Sequence, residues 1–242
     1  MILITRPIDD SVELQQELKK KKIQSLIDPL TSFKFLNRKI KFTEDHIYIC
    51  ASQRCVVSLA RIKNISNIRI IVVGKKVARR LKENSFNNIL FIARDTEQLI
   101  KWMRKKENRQ SDYVYLSGSV INETFISELK KYKISFKRKV IYEIILKKSF
   151  NRKTIKTLKQ NKINSVVFYS KTSVDVYFNL LKKYKISLHT LSQIYFVLSA
   201  RISENCKKHK LERGVIKISP KPDQSSMISL ITANKQLINN GK

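Results

Sequence analysis

The chain has 242 residues, 42% of them hydrophobic, enough to bury one large core or two of ordinary size. Fifty basic residues against 19 acidic ones leave a formal net charge of +31, a balance that attracts polyanions without specifying a fold. No apolar run approaches the ~20 residues needed to cross a bilayer, the four glycines (Gly74, Gly118, Gly214, Gly241) cannot form a dinucleotide or P-loop motif, and Cys50, Cys55, Cys206, His46, His189 and His209 show no metal-ligand spacing.

MILIT (1–5) is an apolar strand that reaches Arg6 at once, too short for a signal peptide, so a soluble cytoplasmic protein is expected. Pro7 breaks the strand. Asp9, Asp10 and Ser11 supply N-cap chemistry for a helix to about Lys20, with Val12, Leu14 and Leu18 free to face a core. IQSLID (23–28) is the next strand. Such a β-α-β unit presents its binding edge where strands end and helices begin, the place of Thr5 and Arg6. PLTSFKFLNRKIKF (29–42) alternates enough to be an extended crossing segment, and a second domain starts near Phe42.

Beyond it the pattern predicts strands at 46–51, 68–73, 88–92, 113–117 and 138–146, and helices at 53–62, 75–84, 95–107 and 121–132. This alternation implies a parallel sheet covered on both faces. The polar stretch 151–164 reads as a further helix, and a last helix runs from about Gln224 to Leu237, its entry bracketed by Pro220 and Pro222. If VIYEIIL (140–146) returns alongside 29–36, the second domain is an insertion in the first.

One theme occurs twice. IYICASQRCVVSLA (47–60) and VVFYSKTSVDVYFNLL (166–181) each give a strand, then Ser52 or Ser170, then an amphipathic helix. IRIIVVGKKVARRL (68–81) and SQIYFVLSARISEN (192–205) follow, with strand ends at Gly74 and Ser199. The serines lie 118 positions apart, the spacing of whole domains, so two related α/β domains with a cleft between them are expected. Ser52 and Ser170 are either N-caps, ligand contacts or both.

ILITRP at the start, Pro29-Leu30, Ala51-Ser52, VVG (72–74) with Ala78 and Leu81, YLSG (115–118), VIYE (140–143) and FYSKTSV (168–174) form a collinear set along nearly the whole chain. In that set the sequence resembles the uroporphyrinogen-III synthase family. The resemblance implies two similar Rossmann- or flavodoxin-like α/β domains with parallel sheets, the second inserted in the first and joined to it by a two-stranded β-ladder. Domain 1 is then 1–35 with 148–242, and domain 2 is 39–142. It also implies a cofactor-independent, metal-free lyase of haem biosynthesis. Such an enzyme closes hydroxymethylbilane, a linear tetrapyrrole, into uroporphyrinogen III with loss of water and inversion of the last ring.

By the same resemblance Tyr142 is the catalytic candidate, and Thr5, Arg6, Ser52, Gly74, Gly118, Ser170 and Ser199 are the substrate-binding candidates. A phenol stays protonated at neutral pH and can donate to a departing hydroxyl, although a tyrosine on an apolar strand is as readily a core or hinge aromatic. Arg6 suits a substrate carboxylate or plain solvent. Gly74 and Gly118 are either turn formers or points of close backbone approach. The family's Gly-x-x-Thr-Ala pattern is broken twice, by Val77 in the first copy and by Ile202 in the second. A monomer is expected, since no apolar stripe advertises an interface, with no specific nucleic acid and no membrane as partner. The alternative from another class is a basic two-domain module that binds RNA or another polyanion without chemistry.

Overall fold

A computed structural model describes residues 1–36, 41–62, 65–109, 111–120, 123–187, 193–209, 211 and 214–239. His189 therefore lies outside the described residues. The chain divides into two compact units, Met1–Ser32 with Ile145–Lys242, and Phe33–Ile144.

Unit 1 begins with β1 (Ile2–Ile4), wholly buried, followed by α1 (Ile8–Lys20). The cap falls two residues before Asp9, the first of the expected cap residues. Pro7 occupies the N-cap position, Asp9 and Asp10 sit in the first turn where negative charge suits the helix dipole, and the Ser11 hydroxyl donates to the Arg6 carbonyl at 2.7 Å. Leu14 and Leu18, four apart, share the buried face, whereas Val12 falls on the other side and is exposed. The next strands are β2 (Ser25–Ile27) and β3 (Thr31–Phe35), the latter within the expected crossing segment 29–42, of which 37–40 lie outside the described residues.

Unit 2 contains β4 (Ile47–Cys50), α2 (Gln53–Leu59), β5 (Arg69–Val73), α3 (Lys75–Glu83) and β6 (Ile89–Ala93). It continues with α4 (Thr96–Met103), α5 (Lys106–Arg109), β7 (Tyr113–Gly118), α6 (Glu123–Lys131) and β8 (Phe136–Leu146). The single helix expected over 95–107 is therefore two, parted at Arg104 and Lys105. Along β4 the side chains alternate between two cores: Tyr48 and Cys50 face α2 and α3, and Ile47 and Ile49 face α4 and α6.

The chain then returns to unit 1 with α7 (Arg152–Lys159), β9 (Ser165–Phe168), α8 (Lys171–Lys183), β10 (Ile194–Val197) and α9 (Ala200–Lys207). It ends with β11 (Val215–Ile218), α10 (Gln224–Ala233) and α11 (Lys235–Asn239). β11 is absent from the sequence reading. It is a four-residue run whose Val215 and Ile218 are exposed, too short to stand out against its charged flanks. The last helix is shorter than expected because Asn234 ends α10.

Two sheets result, in the order β2-β1-β9-β10-β11 for unit 1 and β3-β8-β7-β4-β5-β6 for unit 2, parallel throughout except at β3. Set β3 aside and the two have one spatial plan: β4-β5-β6 match β9-β10-β11, and β7-β8 match β1-β2. The repeat legible in the sequence is this shared plan entered at different points. β3 runs antiparallel to β8, since Leu36 N donates to Ile141 O and Lys147 N donates to Leu30 O, each at 3.0 Å. The boundary of the units falls within both strands. Just past it in unit 1, the buried Asp28 carboxylate holds the returning chain through the Lys147 ammonium and, at 2.9 Å, the Asn151 N–H.

Candidate functional site

In doubly wound sheets, ligands bind beyond the carboxyl ends of the strands at the point where strand order reverses. That point lies between β4 and β7 in unit 2, and between β1 and β9 in unit 1. The sequence candidates stand at these two edges.

In unit 2 the chain leaves β4 through Ser52, whose extended backbone makes it the N-cap of α2 and whose Oγ accepts the Arg54 N–H at 3.1 Å. The same Oγ lies 3.2 Å from the hydroxyl of Tyr142 on β8, so capping and a second polar contact coexist. The Tyr142 ring meets Phe33 edge-on at 5.7 Å, and the Arg54 guanidinium lies over the Phe33 ring at 4.2 Å. Burial raises the Tyr142 phenol above its ordinary 10.0, while the Ser52 hydrogen bond and Arg54 pull the other way. Burial pushes neighbouring Tyr115 up to about 12, with Tyr142 adding to the effect. Cys50 and Cys55 are buried free thiols in the core beneath this edge, and burial holds the Cys55 thiol above its ordinary value and protonated.

The two glycines of unit 2 exist for different reasons. Gly74, N-cap of α3, has φ +95 and open space where a side chain would stand. Gly118, at the end of β7, needs no left-handed backbone, but a Cβ there would come within 2.4 Å of Tyr142 Cε2. Its open side faces the phenol ring, so the lack of a side chain makes room for Tyr142. Val77 and Ile202, at the positions where the resemblance implies threonine, are buried in the apolar cores of their units.

In unit 1 the buried Thr5 hydroxyl donates to Val167 O at 2.7 Å and so ties β1 to β9. The Arg6 guanidinium carbon lies 3.9 Å from the centroid of the Tyr169 ring; the side chain donates to Gln224 Oε1 and approaches Asp10 at 3.6 Å. It is a held guanidinium and not a loose surface arginine. Burial pushes the Tyr169 phenol up to about 12 against the pull of Arg6. Ser170 caps α8, accepting the Ser173 N–H at 3.1 Å and sharing a 2.8 Å hydrogen bond with the Ser173 hydroxyl. Ser199 holds the N-cap position of α9 without a side-chain cap bond. Tyr169, Gln224, Phe33, Arg54 and Arg138 escaped the sequence reading. Tyr169 alone had a signal, standing directly before Ser170 in the repeated theme.

Two parallel-dominated sheets, each with helices between its strands, define a doubly wound α/β protein. Over residues 12–229 the sequence matches the model of the family described as uroporphyrinogen-III synthase HemD, and the chain belongs to that family. Among solved structures it is similar to uroporphyrinogen-III synthetase from Helicobacter pylori, with a TM-score of 0.66 and 18% identity over 87% of this chain and 92% of that one. A mutant uroporphyrinogen III synthase from the extremely thermophilic bacterium Thermus thermophilus aligns with a TM-score of 0.51 and 10% identity over 99% of both chains. At those identities the likeness is one of fold. No curated protein sequence matches the chain. Among the described residues no helix is long and apolar enough to cross a membrane.

Proposed function

We propose that this chain closes hydroxymethylbilane into uroporphyrinogen III, with the Tyr142 hydroxyl as the hydrogen-bond donor to the group that leaves. The 3.2 Å pairing of Ser52 and Tyr142 at the unit 2 switch point carries the reading. With Ser52 Oγ accepting the Arg54 N–H, the serine proton is free to point at the phenol oxygen, which leaves the phenol proton for the substrate.

The reaction begins at the hydroxymethyl carbon of the first ring. Its C–O bond breaks, the electron pair leaves with oxygen, and the pyrrole N–H proton completes a water molecule, leaving an azafulvene. Donation from Tyr142 stabilises the charge growing on that oxygen, which suits a phenol raised above 10.0 and hence neutral throughout the physiological range. The substituted carbon of the last ring then attacks the azafulvene methylene. The spiro intermediate so formed fragments and recloses with that ring inverted. Holding a flexible chain for the less accessible attack is a matter of positioning, which needs no metal or organic cofactor. In unit 1, the Arg6 guanidinium, kept in place by Tyr169 and Gln224, is offered to a substrate carboxylate. On this reading the chain works as a cytoplasmic monomer and as a cyclising hydro-lyase.

The test supplies freshly made hydroxymethylbilane to the purified chain and separates the product isomers. Isomer III above the spontaneous isomer I background is expected. Isomer I alone sinks the assignment, and salt-dependent capture of RNA by the same preparation would then favour the polyanion-binding alternative.

A further inference from the structure

Tyr142 owes its aim to a break in the sheet. β8 follows β7 in regular parallel register from Phe136 opposite Tyr113 to Val140 opposite Ser117, and then slips so that Gly118 faces Tyr142. Ile141 is the residue passed over. In an even strand consecutive side chains face opposite ways, yet Ile141 is buried in the same apolar cluster against which Tyr142 packs. Bulges re-aim side chains in this manner and gather beside functional sites.

The opposite side of the break is held as tightly. Arg138 donates from Nε to Ser117 Oγ at 2.8 Å and from Nη2 to the carbonyls of Gly118 at 2.7 Å and Ser119 at 3.0 Å. Ser119 N donates to the Tyr142 carbonyl at 2.9 Å, and Ser119 Oγ accepts the Ile144 N–H at 3.2 Å. The backbone of Tyr142 is thus tied to the β7 turn, and its ring fills the space where residue 118 would carry a Cβ. An ordinary backbone angle at Gly118 leaves that space as the reason for a glycine.

We propose that Gly118 is a positioning residue for the reaction: by lacking a side chain opposite the β8 bulge, it sets the Tyr142 ring where its hydroxyl meets Ser52. The proposal rests on Tyr142 serving the departing hydroxyl. A Cβ at 2.4 Å must push the ring aside, because no real contact is that close.

The experiment compares Gly118→Ala, Tyr142→Phe, Tyr142→Ala and Gly118→Ala/Tyr142→Ala, all made as full chains. Each is measured for kcat, KM and thermal midpoint. The chains that keep Tyr142 are also labelled with 3-fluorotyrosine, the Tyr142 fluorine resonance being the one of nine that disappears in Tyr142→Phe. Gly118→Ala is expected to lower kcat about tenfold to a hundredfold with KM nearly unchanged, as a displacement near 1 Å does. It is also expected to shift the Tyr142 resonance. In the Tyr142→Ala background, where nothing fills the space, the same change is expected to leave kcat alone and to cost far less stability.

An unmoved resonance, or an equal loss of stability in both backgrounds, overturns the proposal whatever Tyr142→Phe does. Wild-type turnover in Gly118→Ala with a shifted resonance overturns it also. Wild-type turnover in Tyr142→Phe strikes instead at the role of the phenol, and removes with it the catalytic purpose of Gly118. Should Gly118→Ala not fold, the double variant is expected to fold as Tyr142→Ala does, and its failure to do so counts against the proposal.

Discussion

The hydroxyls of Ser52 and Tyr142, 90 positions apart in the chain, stand 3.2 Å from each other at the end of the unit 2 sheet. Ser52 arrives there as the cap of α2, and Tyr142 through the bulge that turns it toward β4. Tyr142→Phe keeps the ring and removes the donor. The expected result is a fall in kcat of about a hundredfold, the lower end of what a positioned proton donor contributes, with KM little changed. Initial rates of isomer III formation measure it, and turnover equal to the parent removes Tyr142 from the mechanism.

Ser52→Ala removes a cap and a phenol partner together. The cap accounts for about 1 kcal/mol of stability, read from a urea melt. The lost partner should lower kcat in addition, by less than Tyr142→Phe does, because the phenol can still donate. Ser52→Thr, which keeps the hydroxyl, is expected to recover most of both; failure to recover either would mean that the hydroxyl is not the operative group.

Gly74→Ala tests the other glycine. With φ +95 and open space around it, the substitution strains the backbone without a clash, and about 1 to 2 kcal/mol of stability should be lost. Unlike Gly118→Ala, it should leave the Tyr142 resonance in place. Equilibrium unfolding of the two variants side by side distinguishes strain from crowding.

Lys147→Met leaves the Asp28 carboxylate buried with the Asn151 N–H and without its cation. Breaking a fully buried pair costs about 3 to 5 kcal/mol, and the Lys147 side chain is 23% exposed, so a loss of about 2 to 3 kcal/mol is expected. Asp28→Asn combined with Lys147→Met should regain part of it in a denaturant titration. No loss in the single variant would show that the pair does not hold the returning chain.

Buried phenols set an alkaline limit. Tyr115 and Tyr169 are pushed to about 12 and Tyr142 is raised, against 10.0 for a free phenol. Between 10.0 and about 12 the unfolded chain has released protons that the folded chain keeps, so stability is undiminished below 10 and falls as pH climbs toward 12. Thermal midpoints across that range should drop, less steeply in Tyr115→Phe. A midpoint that holds level to pH 12 contradicts the burial of these phenols.

Much of this protein is written locally. Strands such as IYIC and RIIVV, with helices between them, follow from apolar periodicity, and the repeated strand-serine-helix theme exposes two α/β units because it depends on neighbours a few residues apart. Ser52 and Ser170 as caps are equally local, since a hydroxyl at a helix start has its N–H partner within three residues. Sheet order decided the rest. That Gly118 is a glycine for the sake of a ring 24 positions away, that Arg6 lies on Tyr169 and reaches Gln224, and that Thr5 serves the β1–β9 pair all depend on which strands lie side by side. Such pairings are set by packing of the whole sheet. A one-residue slip in β8, invisible to any pattern along the chain, is what brings a phenol to face a serine.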